Sequence, residues 1–471
     1  MHDRKIILFE LNEVPFRVID AYCHWQPESY LARQLSRCYQ YTTFANDNML
    51  SPWVTWPTLH RGVNDCQHSI LHFGQDLANA NRTFPPLWQI AASKGITTGI
   101  FGPLHSYPLP QQLDNYCFYV PDTFAANPDC FPEQLSIFQA FNLIMARGSA
   151  RNVSAAVPWK AALRFLSNCA TLGVKTDTLI DAAQQLVAET IEPWRRTRRR
   201  TYQSILAFDL FWKQLEKNQP SLAIFFTNHV AAFMHRYWAA AFPDDYEKLE
   251  YDREWLQRYG SEIQFAMSKF DRFFARLVNF VDRHPDYTLW ITSSMGQAAT
   301  TAKPLRSQLY LTNIAKFMQR LGIPAESWRQ CPAMQPDISV FVSDDWVEHF
   351  KQSLEQLSIH QQSVQFDQQS QGFFSLFFGH KDLPESAAYA MFNGRNIPFK
   401  DLGLENVSID DSANTNAYHV PEGLLIIYDP KKHPDRTTRE RISTLEIAPT
   451  ILENFAIEIP SYMQKPVALN Y

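Results

Sequence analysis

The amino-acid sequence predicts an α/β protein of three layers, in which helices cover both faces of a doubly wound, mostly parallel sheet with a helical cap insertion. Short apolar runs at residues 5–11, 96–101 and 222–226 indicate buried strands, because strands covered on both faces need no polar alternation. Segments with helical spacing of apolar residues lie between these runs, and such alternation is typical of a parallel sheet. With 471 residues, the chain can form one large sheet and carry insertions.

The composition is that of a mildly acidic globular protein. Its 43 lysines and arginines against 48 aspartates and glutamates give a net charge of −5, which argues against nucleic-acid binding through bulk charge. Seven cysteines without a CxxC spacing indicate reduced, structural thiols. The first apolar run is too short for a signal peptide, and no run reaches the length of a membrane span. We therefore expect a cytoplasmic protein without a membrane span and without a nucleic-acid partner.

The first predicted strand ends in polar residues. In open α/β sheets, ligands bind beyond the carboxyl ends of the strands. Glu10 and Asn12 alternate with Leu11, so both polar side chains face the same way if the strand continues through them. A helix over 18–38 and a second strand over 39–44 then lead to the segment with the most reactive side chains.

Residues 51–62 bring hydroxyls, an imidazole and a guanidinium together in twelve positions. Pro52 and Pro57 disfavour helix in the residues before them, so the sequence predicts that a helix begins at Leu59. Thr55 then lies where a hydroxyl nucleophile could meet an anion at the free N–H groups of a helix start. The alternative is a buried turn in which Thr55 only caps the helix.

His60 and Arg61 lie on the helix predicted over 58–71. His60 could act as a catalytic base, and the alternative is a hydrogen-bonded histidine at the helix start. Arg61 could hold an anion with two parallel hydrogen bonds, or it could lie in solvent. We take His60 as a catalytic candidate, and Arg61 together with Asn12 as candidates for substrate binding.

Two segments interrupt the α/β pattern. Residues 132–215 have helical periodicity, and we interpret them as an inserted helical cap. Five arginines within 195–200 surround a whole helix circumference, which favours a solvated surface over an anion site. Residues 344–401 are rich in Gln and Phe and form a second insertion, whose role the sequence does not indicate. The α/β core then comprises residues 1–131, 216–343 and 402–471.

The segment after the strand at 222–226 carries further candidates. Asn228 and His235 are seven residues apart, so a helix places them on one face. His229 follows Asn228 by one residue and lies next to that face. The remaining predicted elements are helices over 251–283 and 443–455 and strands over 287–292, 337–342 (an edge strand) and 424–428.

Five short motifs follow one another along the predicted core. They are Thr-Trp-Pro at 55–57, His-Arg-Tyr-Trp at 235–238, a Ser-x-x-Gly turn at 293–296, His-x-Pro-Glu-Gly at 419–423 and Ala-Pro-Thr-Ile-Leu at 448–452. In this order, after a strand with a polar end, they resemble the alkaline phosphatase-like superfamily. The group most similar within it is that of the type I phosphodiesterases and nucleotide pyrophosphatases. The resemblance covers most of the chain outside the two insertions.

The resemblance implies an enzyme that hydrolyses or transfers phosphoric or sulfuric esters, in which two divalent metals flank a threonine or serine nucleophile. A metal lowers the pKa of the attacking hydroxyl, and two cations offset the charge of the transferred group. Carried over to this chain, the resemblance makes Thr55 the nucleophile and His235 and His419 metal ligands. The family's aspartates fall on Asn12 or Glu10 and on Asn228.

The metal site that would activate the nucleophile is depleted. The family's Asp-His pair falls on Ser294-Met295, and methionine cannot replace histidine as a ligand for zinc or magnesium. The other site could survive as His229, His235 and His419, which is the ligand set of a one-zinc site, although a histidine-rich helix can also be structural. Glu10 could bind a hard cation.

From these residues we expect a metal-dependent phosphoric or sulfuric ester hydrolase, phosphodiesterase-like, with one zinc rather than two. Its substrate would be an anionic small molecule or a glycan-linked anion. One alternative is a catalytically inactive binding or scaffold protein. Another is an enzyme acting on a glycan or lipid-linked anion through His60 and Glu10 instead of paired metals. The sequence does not indicate the oligomeric state.

Overall fold

The computed structural model describes residues 4–148, 152–154, 158–369, 372–384, 386–435 and 438–468. The described strands are β1 (Lys5–Leu11), β2 (Tyr39–Phe44), β3 (Thr98–Phe101), β4 (Tyr116–Val120), β5 (Leu222–Thr227), β6 (Tyr287–Thr292), β7 (Gly296–Ala299), β8 (Ser307–Leu311), β9 (Trp328–Cys331), β10 (Ile338–Val342), β11 (Leu357–Ile359), β12 (Gln362–Ser363), β13 (Gln365–Gln368), β14 (Phe373–Phe377), β15 (Tyr389–Phe392), β16 (Arg395–Pro398), β17 (Leu404–Ser408), β18 (Ala417–Val420), β19 (Leu425–Tyr428) and β20 (Glu440–Ser443).

The described α-helices are α1 (Phe16–Trp25), α2 (Tyr30–Gln34), α3 (Pro52–Arg61), α4 (Asp65–His68), α5 (Ala78–Thr83), α6 (Leu87–Ser93), α7 (Ser136–Arg147), α8 (Trp159–Leu166), α9 (Cys169–Leu172), α10 (Thr176–Ile191), α11 (Arg199–Asn218), α12 (His229–Ala241), α13 (Arg253–Tyr259), α14 (Glu262–Arg283), α15 (Ile314–Arg320), α16 (Asp344–Glu355) and α17 (Ile447–Asn454).

The central sheet has eight strands in the order β20-β2-β19-β6-β1-β5-β3-β4. β1 runs parallel to both of its neighbours, and Glu10 lies opposite Phe226 in β5 and Thr292 in β6. β3 and β4 continue the parallel pairing, whereas β19 is antiparallel to β2 and β6. The sheet is therefore mostly parallel, as predicted, and the carboxyl ends of β1, β5 and β6 lie side by side.

Helices cover both faces of this sheet. Successive side chains of a strand point to opposite faces. In β1, Ile7 and Phe9 belong to the core under α11, α12 and α14, and Ile6 and Leu8 belong to the core under α3, α6 and α17. Burial of apolar surface on each face is the main force that holds such layers together. The predicted three-layer α/β class is confirmed.

The helical segment 132–215 contains α7 to α10 and most of α11. Phe208 and Phe211 of α11 contact Phe225 of β5, with ring centroids 5.5 and 4.9 Å apart. This helix therefore belongs to the layer that covers the sheet. That layer begins before residue 215, the predicted end of the cap insertion.

A separate apolar core lies in the second half of the chain, and its buried members run from Leu309 to Leu404. It is built from strands and from α15 and α16, and it begins well before residue 344. β10 lies inside a four-stranded sheet, because Val340 pairs with Gln330 in β9 on one side and with Phe374 in β14 on the other. The prediction of an edge strand at 337–342 is therefore wrong, since both of its sides are paired.

Helix α3 begins at Pro52, seven residues before the predicted start. Pro52 takes the first helical position, where its missing N–H costs no hydrogen bond. Pro57 lies inside the helix, and a proline there removes the bond to the carbonyl four residues earlier, which is that of Trp53. The ring of His105 donates to this carbonyl instead, with Nε2 2.8 Å from the oxygen. A buried side chain thus replaces the lost backbone bond.

We expect His105→Ala to be less destabilising in a Pro57→Ala background than in the native chain. Alone, it leaves the Trp53 carbonyl without its donor, which costs about 1–3 kcal/mol. In the double variant, the N–H of residue 57 can donate to that carbonyl and recover part of the loss. Urea denaturation of all four proteins measures the coupling between the two sites. Strictly additive effects would contradict the proposed compensation.

Candidate functional site

Three side chains converge beyond the carboxyl edge of the central sheet: Glu13, His235 and His419. One ligand atom from each lies within 4.8 Å of the other two. Oε2 of Glu13 is 2.8 Å from Nε2 of His235 and 3.4 Å from Nε2 of His419. We call these three residues the Glu-His-His cluster. Its donor set, two imidazole nitrogens and one carboxylate, is that of a zinc site with an open position.

Each member of the cluster comes from a different element. Glu13 follows β1 and has a φ of 59°, in the left-handed region that few residues other than glycine adopt. His235 lies on α12, which follows β5 after Asn228. His419 lies on β18, near the end of the chain. Three segments distant in sequence therefore meet where parallel strands end, which is where ligands bind in this class of fold.

The strand that carries His419 is held against β7. In this antiparallel pair, His419 lies opposite Gln297 and Val420 lies opposite Gly296. A Cβ on residue 296 would lie only 2.1 Å from the carbonyl oxygen of Glu422. Glycine is therefore required at 296 for the two strands to approach this closely.

Backbone carbonyls fix the orientation of both histidines. Nδ1 of His235 lies 2.9 Å from the carbonyl oxygen of Ala417, and Nδ1 of His419 lies 2.7 Å from that of Leu50. A carbonyl only accepts, so each Nδ1 carries the proton and each Nε2 is directed at Glu13. Metal-ligating histidines are usually oriented in this way by their second nitrogen.

The carboxylate of Glu13 is buried and surrounded by donors. Asn12 donates to Oε1 at 2.8 Å, and Gln297 donates to Oε2. Burial alone would raise the pKa of Glu13, but His235 and His419 hold it well below its usual range. Burial alone would lower the pKa of His419, but the carboxylate of Glu13 raises it. The ionised form of Glu13 is therefore the one that this site stabilises.

The cluster reaches solvent on one side. The side chains of Glu13 and His419 are 3% and 5% exposed, whereas that of His235 is 25% exposed. Asn228, which immediately precedes α12, is also exposed. A small anion could therefore reach the cluster from the side of His235 and Asn228.

Thr55, the candidate nucleophile, is buried beside the cluster's supporting residues. Its hydroxyl shares a hydrogen bond of 2.8 Å with that of Ser294, and neither residue is exposed. The next residue, Trp56, donates through Nε1 to Oδ1 of Asn12 at 2.7 Å. Asn12, proposed for substrate binding, thus connects the helix of Thr55 to Glu13.

The positions onto which the resemblance carries the other metal ligands are occupied by neutral groups. Asn12 donates to Oδ1 of Asn228 at 2.7 Å, so two neutral amides are paired where carboxylates would be needed. Ser294 bonds to Thr55, and Met295 is fully buried. These residues do not fit a second divalent cation, which requires carboxylates or imidazoles.

Glu10 and His60 form a pair of their own. Oε1 of Glu10 lies 2.6 Å from Nε2 of His60, and both side chains are buried. The His60 ring lies between Trp56 and Trp88, at centroid distances of 5.5 and 4.8 Å. The structure therefore places the predicted ligand Glu10 and the predicted base His60 against each other, outside the Glu-His-His cluster.

His229 and Arg61 also lie outside the cluster. Nδ1 of His229 contacts the hydroxyl of Thr227 at 2.7 Å, and Nε2 contacts the carbonyl of Ala266 at 3.2 Å, so neither nitrogen is available to a metal. Arg61 is buried and donates to Asn81 at 2.8 Å. It therefore lies outside the cluster, and it does not lie in solvent, which was the alternative prediction. Burial lowers the pKa of Arg61 to about 10.

Sequence reasoning missed Glu13 and Gln297. Glu10 and Asn12 were predicted instead, because their side chains would face the same way if the strand continued through them. The strand ends at Leu11, and the left-handed conformation at Glu13 breaks the alternation. A glutamate two residues beyond a buried strand was the available signal.

Comparison with known proteins gives matches among solved structures alone. No family model matches the sequence, and no curated protein matches it. Murine ectonucleotide pyrophosphatase/phosphodiesterase 5 is 9% identical, with 97% of this chain and 96% of that chain covered and a TM-score of 0.40. Phosphonoacetate hydrolase from Sinorhizobium meliloti, in complex with phosphonoformate, is 12% identical, with 95% and 94% covered and a TM-score of 0.41.

A third similar structure is that of wild-type alkaline phosphatase PafA, which is 11% identical, with 99% of both chains covered and a TM-score of 0.46. At TM-scores below 0.5, none of these likenesses bears on activity, which must be inferred from the side chains of the site.

We expect the purified chain to bind one zinc ion after dialysis against zinc. Glu13→Gln removes the negative charge of one ligand, and His235→Asn and His419→Asn each remove an imidazole ligand, so each variant should weaken zinc binding by at least about a hundredfold. Elemental analysis and competition with a chelator measure stoichiometry and affinity.

The matched control for these variants is His72→Asn, which removes a histidine bonded to Asp367 at 2.8 Å. It should leave zinc binding unchanged. Equal zinc content in all four variants would show that the ion binds elsewhere.

We expect His229 to make the fold less stable in acid. Burial lowers the pKa of His229 to about 4, from 6.5 in an exposed histidine. Between pH 6.5 and about 4 the unfolded chain binds more protons, so this residue's contribution to stability is complete above pH 6.5 and is lost as the pH falls. His229→Asn should therefore show a smaller drop in thermal midpoint between pH 7 and about 5 than the native chain. Parallel midpoint curves would exclude a neutral, buried His229.

Proposed function

We propose that the chain hydrolyses phosphoric or sulfuric esters of a small or glycan-linked anion, with one zinc at the Glu-His-His cluster and Thr55 as the nucleophile. The observation that carries the proposal is the convergence of one carboxylate and two oriented imidazoles beside a solvent-accessible edge. Three protein ligands and one open position are typical of catalytic zinc sites. When bound, zinc would supply positive charge that polarises the ester and attracts its anionic oxygens.

The chain's own residues orient the site. Asn12 and Gln297 hold the carboxylate of Glu13 through their amide groups. The carbonyls of Leu50 and Ala417 hold the two imidazoles. Preorganised groups of this kind favour catalysis because they need not rearrange as charge develops. The amide of Asn228, exposed at the mouth of the site, is available to donate to an oxygen of the substrate.

In this proposal, the hydroxyl oxygen of Thr55 attacks phosphorus or sulfur, and the ester alcohol leaves. The hydroxyl of Ser294 lies 2.8 Å from the attacking hydroxyl and shares a hydrogen bond with it. The Thr55 ester that forms is then hydrolysed by water, which restores the hydroxyl. Since Thr55 has no exposed surface, the side chains over it must move when substrate binds.

The burial of Thr55 also favours a second candidate function. A protein that keeps the Glu-His-His cluster but lacks turnover would bind an anion at the metal and act as a sensor or scaffold. The neutral pair of Asn12 and Asn228, where two carboxylates would be needed for a second metal, agrees with this candidate. Turnover measurements distinguish the two functions directly.

We expect the zinc-loaded chain to hydrolyse p-nitrophenyl phosphate, its diester or p-nitrophenyl sulfate. Thr55→Ala should lower kcat by at least about a hundredfold while zinc stays bound, because it removes the oxygen that attacks the ester. Thr55→Ser should keep measurable turnover. Release of p-nitrophenol at saturating substrate gives the rates.

Thr58→Ser serves as the control, since it changes a buried threonine one turn further along the same helix. It should leave kcat unchanged. Turnover that persists in Thr55→Ala but is lost in His235→Asn would exclude Thr55 as the nucleophile. Stoichiometric zinc without turnover on any of these esters would favour the binding function.

A further inference from the structure

Helix α8 presents an apolar face to solvent. Trp159, Leu163 and Leu166 are 64%, 58% and 52% exposed. At 3.6 residues per turn, the three side chains lie within an arc of about 60° on the helix. We call them the apolar arc. Single exposed apolar residues are common on protein surfaces, but three that share one arc mark an interaction surface.

The opposite side of α8 is anchored in the protein. Phe165 is buried and stacks on Phe141 of α7, with ring centroids 5.1 Å apart and planes 3° from parallel. Phe138 of α7 lies 5.8 Å from the same ring. The helix is therefore held through one face, and its apolar arc is directed away from that contact. Ile144 of α7 adds a further exposed apolar side chain, at 43%.

The segment of the sequence that carries the apolar arc is basic. The chain from residue 136 to residue 176 contains five basic residues and no aspartate or glutamate, although the whole chain has a net charge of −5. The basic residues are Arg147, Arg151, Lys160, Arg164 and Lys175.

Three of these cations lie at the surface, and the ammonium of Lys160 lies over the Trp159 ring, 5.4 Å from its centroid. Arg147, Lys160 and Arg164 are exposed, and within the described part of the chain none of them forms an ion pair. Lys160 and Arg164 follow Trp159 and Leu163 by one position each, so both cations lie along the same side of the apolar arc.

We propose that α8 docks the protein on the surface of an anionic lipid bilayer. The apolar arc enters the boundary between headgroups and acyl chains, and the flanking cations contact the lipid phosphates. An amphipathic helix with a tryptophan and leucines on one side and lysine and arginine beside them is typical of helices that lie in this interface. Long basic side chains also extend toward the headgroups while their stems cover apolar surface.

Charge argues against a second copy of the chain as the occupant. In a twofold dimer the same surface would face itself, which would bring the basic segments of both copies together. An anionic bilayer instead attracts these cations. Among the described residues, no helix combines the length and the apolar character that crossing a bilayer demands. The proposed attachment is therefore peripheral, and it should be reversible because one short helix buries little apolar area.

Sedimentation with lipid vesicles tests this proposal on the full chain. The native protein should bind vesicles of phosphatidylcholine that contain roughly 30% phosphatidylglycerol, and bind pure phosphatidylcholine far more weakly. Lys160→Glu combined with Arg164→Glu should weaken binding to the anionic vesicles by at least about thirtyfold. Trp159→Ser combined with Leu163→Ser and Leu166→Ser should abolish binding. High salt should release the native protein, because surface charges are screened.

Matched controls distinguish binding through this surface from non-specific adsorption to vesicles. Lys94→Glu with Arg320→Glu changes the charge equally at exposed positions elsewhere. Met334→Ser combined with Tyr389→Ser and Met391→Ser removes three other exposed apolar side chains, which are 37%, 51% and 46% exposed. Both controls should bind like the native protein, and so should His235→Asn, since the docking surface does not depend on the metal.

Three results would overturn the proposal. One is the absence of native binding to anionic vesicles at low salt. Another is an equal loss of binding in a control and in its α8 counterpart. The third is a drop in apparent mass on size-exclusion chromatography when serine replaces the apolar arc, which would identify a second copy as the occupant. Circular dichroism of each variant verifies that its fold is intact.

Discussion

The geometry of the candidate site depends on one buried carboxylate. An ionised carboxyl group in the interior costs several kcal/mol unless opposite charges and donors surround it. The compensation for Glu13 comes from Asn12 beside it, His235 on α12, Gln297 on β7 and His419 on β18. The same carboxylate therefore holds together segments from the beginning, the middle and the end of the chain. A divalent cation or protonated histidines can each balance its charge.

Helix α3 cannot move independently of this cluster. Trp56 donates to Asn12, which donates to Glu13, and the carbonyl of Leu50, just before the helix, orients His419. Any movement of α3 that exposes the hydroxyl of Thr55 to solvent therefore also shifts the residues of the Glu-His-His cluster. Access to the hydroxyl and the arrangement of the ligands are coupled by these hydrogen bonds. This coupling links the two candidate functions, since a rigid α3 would keep the ligands in place but exclude the substrate from Thr55.

The α/β class was predictable because buried parallel strands appear as apolar runs, and the predicted bounds of β1 and β6 match the structure. The meeting of His235 and His419 was suggested by resemblance, whereas Glu13 was missed because its backbone conformation is not encoded in the alternation of polar residues. His60, the partner of Glu10, and Ala266, one partner of His229, are distant in sequence, so no local pattern reveals these two contacts. Cytoplasmic localisation and the identity of the metal stay predictions.

Gly296 has a consequence for how mutations would act on this protein. A methyl group at this position would collide with the backbone next to β18 and push that strand outward. His419 would move with the strand, so the metal-binding geometry would change although no ligand was replaced. In a library of random substitutions screened for zinc content, substitutions at position 296 should therefore lower the zinc content, as substitutions of the three ligands do. They would act only by changing the distance between His419 and the other two ligands.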